Sequence, residues 1–150
     1  MTSKNTIMIQ IQKKPLSRNF KILKGIGTAA FIAVLVIQNY MRTAGLHYST
    51  QTSHWLGILP NFFGALGICL ALYSTHLLKL KRIRLSKNQL FVASLIIPII
   101  GLTAWEFLQI LAKRPFDIND IYMTLAGSII GGLIILSSEI TKEKEPKPSM

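Results

Sequence analysis

Apolar residues fall into four long runs, at 22–41, 55–78, 89–112 and 121–138, and polar and charged residues gather between them. About 20 apolar residues are needed for a helix to cross a ~30 Å hydrocarbon layer, and the runs are of that order. The pattern predicts an all-α integral membrane bundle of four transmembrane helices over 20–140. A basic segment, 1–19, precedes it, and a charged, proline-containing tail, 141–150, follows and is expected to be disordered. Within the lead-in, 6–12 alternates apolar and polar residues, which fits either a short strand or an amphipathic edge. The polar lead is long for a signal peptide, the first run is longer than a signal core, and no A-x-A site follows; a retained signal anchor is the expectation. Pro60 in the second run and Pro98, close to Gly101, in the third predict local kinks.

Composition sharpens this picture. Half of the 150 residues are hydrophobic and 15% are charged, against about 25% in a typical soluble domain. The net charge of +11 would suit a nucleic-acid binder, but its distribution argues against one. Lys4, Lys13, Lys14, Arg18, Lys21 and Lys24 lead into the first run, five more basic residues fill 79–87, and three lie in the tail. Arg42, Lys113 and Arg114 are the three on the opposite side. Fourteen against three puts both termini and the middle loop in the cytoplasm. Tyr40, Trp55, Trp105 and Tyr122 would then form an aromatic belt at the outer interface.

Most of the candidate chemistry lies in 105–132. Glu106 precedes Lys113 by seven residues, which puts it roughly 10 Å below the helix end. A carboxylate at that depth calls for a partner or a water-filled cavity. Gln109 shares its face, Arg114, Asp117 and Asp120 follow, and Asn61 lies at a similar depth in the second helix. Together they predict a polar pocket opening outward. Asp120, Thr124, Gly127 and Gly131 form one stripe on the fourth helix, and Gly127 and Gly131 make a G-x-x-x-G step for close helix packing. A structural account covers part of the set. Asp117 can cap the fourth helix with Asp120 at its third position and Arg114 paired to either, and Glu106 with Gln109 can fasten helices at ~1 kcal/mol each.

The same residues resemble the signature of the VanZ-like family of small bacterial membrane proteins, E-x-x-Q, a short gap, then R-x-x-D-x-x-D-x-x-x-N-x-x-G-x-x-x-G. Glu106, Gln109, Arg114, Asp117, Asp120, Gly127 and Gly131 match at the expected spacings, and Thr124 stands where the family has Asn. The match covers about 26 residues, and the remainder is similar only as hydrophobic segments in a compatible order. The family is named for a protein linked to resistance to teicoplanin, a glycopeptide that binds cell-wall precursors outside the membrane. The resemblance implies a multi-pass protein of the bacterial cytoplasmic membrane, with a role in the envelope or in the response to glycopeptide antibiotics. Its ligand would be a lipid-linked cell-wall precursor or a phospholipid headgroup, held by Glu106, Gln109, Asp117, Asp120, Thr124 and Asn61, with Arg114 on an anionic group. Two other readings stay open. One is a non-catalytic scaffold whose partner is another membrane protein; the other is an enzyme acting on a lipid or envelope glycan, with Glu106 or an aspartate as general base.

The remaining candidates are quieter. Cys69 reads as a small packed hydrophobe. His47 and His54 lack further ligands for a metal, and His76 reads as an interface residue. No cofactor is implied, since the chain has no phosphate loop or nucleophile–base pair.

Overall fold

The computed structural model describes residues 18–41, 48–75, 85–113 and 115–144. They form four helices, each with a stretch long and apolar enough to cross a membrane. α1 (Arg18–Val36) continues into a π-helical segment (Ile37–Met41). α2 (Thr50–Thr75), α3 (Lys87–Leu111) and α4 (Ile118–Lys144) follow.

Side chains set the helix ends. Ser86 caps α3 through a reciprocal box: its Oγ accepts from Gln89 N at 3.2 Å, and its own N–H donates to Gln89 Oε1 at 2.9 Å. Ser49 does half of this for α2, accepting from Thr52 N at 3.2 Å. α3 closes where Ala112 N and Lys113 N donate to the Gln109 and Ile110 carbonyls, each at 3.0 Å. Lys113 takes a left-handed φ of 57°, a conformation that ends a helix.

The helices begin earlier than hydropathy alone suggests. α2 starts at Thr50, so His54 is helical rather than part of a loop. α4 runs to Lys144, so 141–144, expected to be disordered tail, are helix. α2 and α3 continue through Pro60 and Pro98, and both prolines are buried. The 6–12 stretch, His47 and His76 lie outside the described residues.

α2 and α4 form the central pair, α1 packs chiefly on α2, and α3 packs on both α4 and α2. Gly127 and Gly131 meet α2, as expected from the stripe. A Cβ on Gly127 would strike the Phe62 carbonyl, and one on Gly131 would come within 2.9 Å of Cys69 Sγ. A second close approach joins α1 to α2, where Gly67 lies under the Phe31 ring and Gly27 packs on Leu70. The core, which includes Leu23, Leu66, Cys69, Leu70, Tyr73 and Ile135, is apolar. The outside is apolar too: Ile32 and Leu35 on α1, Val92, Ile96 and Ile100 on α3, and Ile129 and Leu133 on α4 are all exposed. Apolar groups on both the inner and outer surfaces of α1, α3 and α4 suit a lipid solvent, in which the backbone must bond within each helix.

The backbone contact at Gly127 yields a graded test. Gly127→Ala should lower stability in detergent by about 1–3 kcal/mol through overpacking, read as a fall in the thermal midpoint. Gly101→Ala, whose Cβ would meet nothing within 4 Å, should stay within about 0.5 kcal/mol of the parent. Equal midpoints for the two variants would contradict the α2–α4 packing.

Candidate functional site

The two ends of the bundle differ in chemistry. At one end the last turns of α3, the start of α4 and the first turns of α2 converge. Glu106 on α3 is 2% exposed, sealed between helices. Its Oε1 accepts from Gln109 Nε2 at 2.7 Å, one turn along the same helix, and from Asn61 Nδ2 at 3.5 Å, across on α2. The carboxylates of Asp120 and, more weakly, Asp117 act on it electrostatically from α4. The structure therefore gathers Asn61, Glu106, Gln109, Asp117 and Asp120 around one acidic end.

Helix geometry explains each placement. The three-residue step from Glu106 to Gln109 puts both on one face. Asp117 caps α4, with Oδ1 accepting from the Asn119 N–H at 2.9 Å and from Asn119 Nδ2 at 2.8 Å. Asp120 then falls in the first helical turn, where a carboxylate favours the positive end of the helix dipole. Thr124 is also inside, 1% exposed, but its hydroxyl donates to the Asp120 carbonyl at 2.9 Å, so its hydrogen serves its own helix. Arg114 lies outside the described residues.

The pocket differs from the expected open one. Glu106 does not face outward; the half-buried Asp117 and Asp120 form the accessible part of the cluster. Asn119, which fixes the Asp117 carboxylate, was not foreseen; an Asn two residues after a capping Asp was the available signal. Tyr40, Trp55, Trp105 and Tyr122 are all exposed, at the ends of their helices nearest this cluster. His54 stacks edge-on with Trp55, at 6.2 Å between centroids. Among the described residues no group of His, Cys, Asp and Glu could hold a metal ion.

A second polar cluster, at the basic end, was not anticipated. Tyr73 on α2 donates its hydroxyl to Glu139 Oε1 at 3.0 Å, and Lys87 at the start of α3 pairs with Glu139 Oε2 at 2.5 Å. Phe20 of α1 stacks on the Tyr73 ring, and Asn19 Nδ2 donates to the Ser138 carbonyl at 2.8 Å. One carboxylate on α4 thus fastens α2 and α3, while α1 closes over Tyr73. The signal was an acid one residue past the apolar run, with a tyrosine and a lysine at the same depth on other helices.

No family model matches the chain, and neither a curated protein nor a solved structure is significantly similar to it.

Proposed function

We propose that the chain is a VanZ-like multi-pass protein of a bacterial cytoplasmic membrane, with both termini in the cytoplasm and the acidic end facing outward. At that end Asp117 and Asp120 receive a cationic or hydroxyl-bearing group of an envelope component, such as a lipid-linked cell-wall precursor or a phospholipid headgroup. Glu106, set behind them by Asn61 and Gln109, supplies the inner charge, and Arg114 receives an anionic group such as a phosphate.

One observation carries the reading: carboxylates from α3 and α4 face one another at one end, with Glu106 buried among neutral amides. Such an arrangement is expensive for packing alone, because like charges repel and a buried carboxylate loses hydration. A ligand bearing positive charge would relieve both terms. The scaffold reading has its own support, since the Asn61–Glu106 bond joins α2 to α3 and Glu106 is covered. Under it the cluster only fastens the bundle.

Glu106→Gln separates the two. The change keeps volume and hydrogen-bonding capacity while removing the charge. If Glu106 only fastens helices, the variant should match or exceed parental stability, because burying an amide is cheaper than burying a carboxylate. If it serves a ligand, a deletion strain should remain uncomplemented for growth on envelope-targeting antibiotics, with membrane level and thermal midpoint unchanged. Asp120→Asn and Arg114→Gln should then share the defect. Full complementation by Glu106→Gln at parental level leaves the scaffold in front.

Orientation has a separate test. Ser49 and Ser86 cap helices, so the exposed Gln51 and Asn88 are the better places for single cysteines. In a Cys69→Ser background, Gln51→Cys should react with a membrane-impermeant thiol reagent on intact cells and Asn88→Cys should react only after lysis. The opposite pattern would put the acidic cluster on the cytoplasmic face.

A further inference from the structure

We propose that the groove between α1 and α4 at the basic end is a binding site for an anionic phospholipid. α1 and α4 touch little, and the gap between them forms a lateral groove of about 250 Å³. Both walls change character in the same direction. On α1, Asn19 gives way to Ile22 and Leu23; on the antiparallel α4, Ser138 and Ser137 give way to Ile134. The groove is therefore polar at the bundle end and apolar further in, with the buried Leu23 as its floor and the exposed Ile22 on one wall. A polar mouth over an apolar slot matches a lipid headgroup over the first methylenes of its chains, and fits neither a free ion nor a purely apolar helix.

Charge selects the headgroup. Lys21 and Lys24 stand exposed in the first two turns of α1, and that helix carries no acid in its first turn. They project from other faces of α1 than the groove, where long lysine stems reach toward the interface. The chain adds Lys13, Lys14 and Arg18 before them, with no acid in 1–24; beyond Ser138, Lys142, Lys144 and Lys147 are matched by Glu139, Glu143 and Glu145 and add no net charge. The nearest described acid, Glu139, is held by Lys87 and Tyr73. At the mouth, Asn19 uses one amide hydrogen on the Ser138 carbonyl and retains another for a phosphate oxygen. Basic pockets between membrane helices take anionic headgroups for these reasons. The site requires only that the bundle be embedded in a bilayer, and is independent of the reading of the acidic end and of which face the basic end meets.

The test is lipid retention by the full chain, measured by native mass spectrometry in detergent with added dioleoyl phosphatidylglycerol or dioleoyl phosphatidylcholine. The parent should retain the anionic lipid about fivefold more than the zwitterionic one. Ser137→Trp, filling the groove from α4, and Ile22→Trp, filling it from α1, leave every basic residue in place. Each should bring that preference close to one. Two walls are used so that misfolding of one variant leaves the other to decide, with the lipid-free thermal midpoint as the check. An undiminished preference in a folded, groove-filled variant would overturn the site and leave only diffuse attraction to the lysines. Equal retention of the two lipids by the parent would also overturn it. So would a parental dimer that either tryptophan splits, which would put a second copy in the groove.

Discussion

The backbone of α4 lies directly against the backbone of α2 at Gly127, with the Phe62 carbonyl where a side chain would begin. In a lipid solvent little hydrophobic force drives helices together, so close van der Waals approach has to do it. Gly131, one turn further, admits Cys69 in the same way. This seam sets the rotation and depth of α4 relative to α2, and both polar clusters follow from it. Toward the acidic end it brings Asp120 and Thr124 inward near the turn of α2 that carries Asn61. Toward the basic end it places Glu139 within reach of Tyr73.

The two clusters resolve the problem of a carboxylate among apolar helices differently. Glu139 keeps partial exposure and gains a lysine and a phenol, so it is a conventional ion pair with a hydrogen bond beside it. Lys87 is largely exposed at the start of α3, and exposed pairs contribute about 0–1 kcal/mol; the cluster matters more for aligning α2, α3 and α4 than for its energy. Glu106 is sealed, receives only amide hydrogens from Asn61 and Gln109, and faces further carboxylates. Glu139 is thus neutralised within its own cluster, whereas the nearest charges acting on Glu106 are the like charges of Asp120 and Asp117.

Four helices and their order were legible because a membrane span leaves a strong composition signal. Their ends were less so. Residues 50–54 and 141–144 are too polar to extend an apolar run, yet they stay helical because each turn satisfies the next, and Ser49 supplies a cap that hydropathy does not count. At the acidic end, helical spacing paired Glu106 with Gln109, depth matching found Asn61, and cap chemistry assigned Asp117. Sequence could not reveal that Glu106 would be covered, or that Thr124 would turn its hydroxyl back on its own helix, because both depend on how closely α2, α3 and α4 converge. The Tyr73–Glu139 pair spans 66 positions and has no local signature. Gly27 and Gly67 were missed for a similar reason: neither belongs to a G-x-x-x-G step, and each is needed only because the other helix comes so near.

The spacing of the two clusters along α2 sets a length scale. Asn61 and Tyr73 are twelve residues apart, about 18 Å along the helix axis. A typical hydrocarbon layer is ~30 Å thick, so a centred bundle holds each cluster about 6 Å below the headgroup boundary. A thinner bilayer would bring water and headgroups down to Glu106 and Glu139 together, and a thicker one would bury both more deeply. Bilayer thickness is thus a single variable that sets the hydration of two carboxylates at opposite ends of the molecule, coupling them through the surrounding lipid without any movement of the protein.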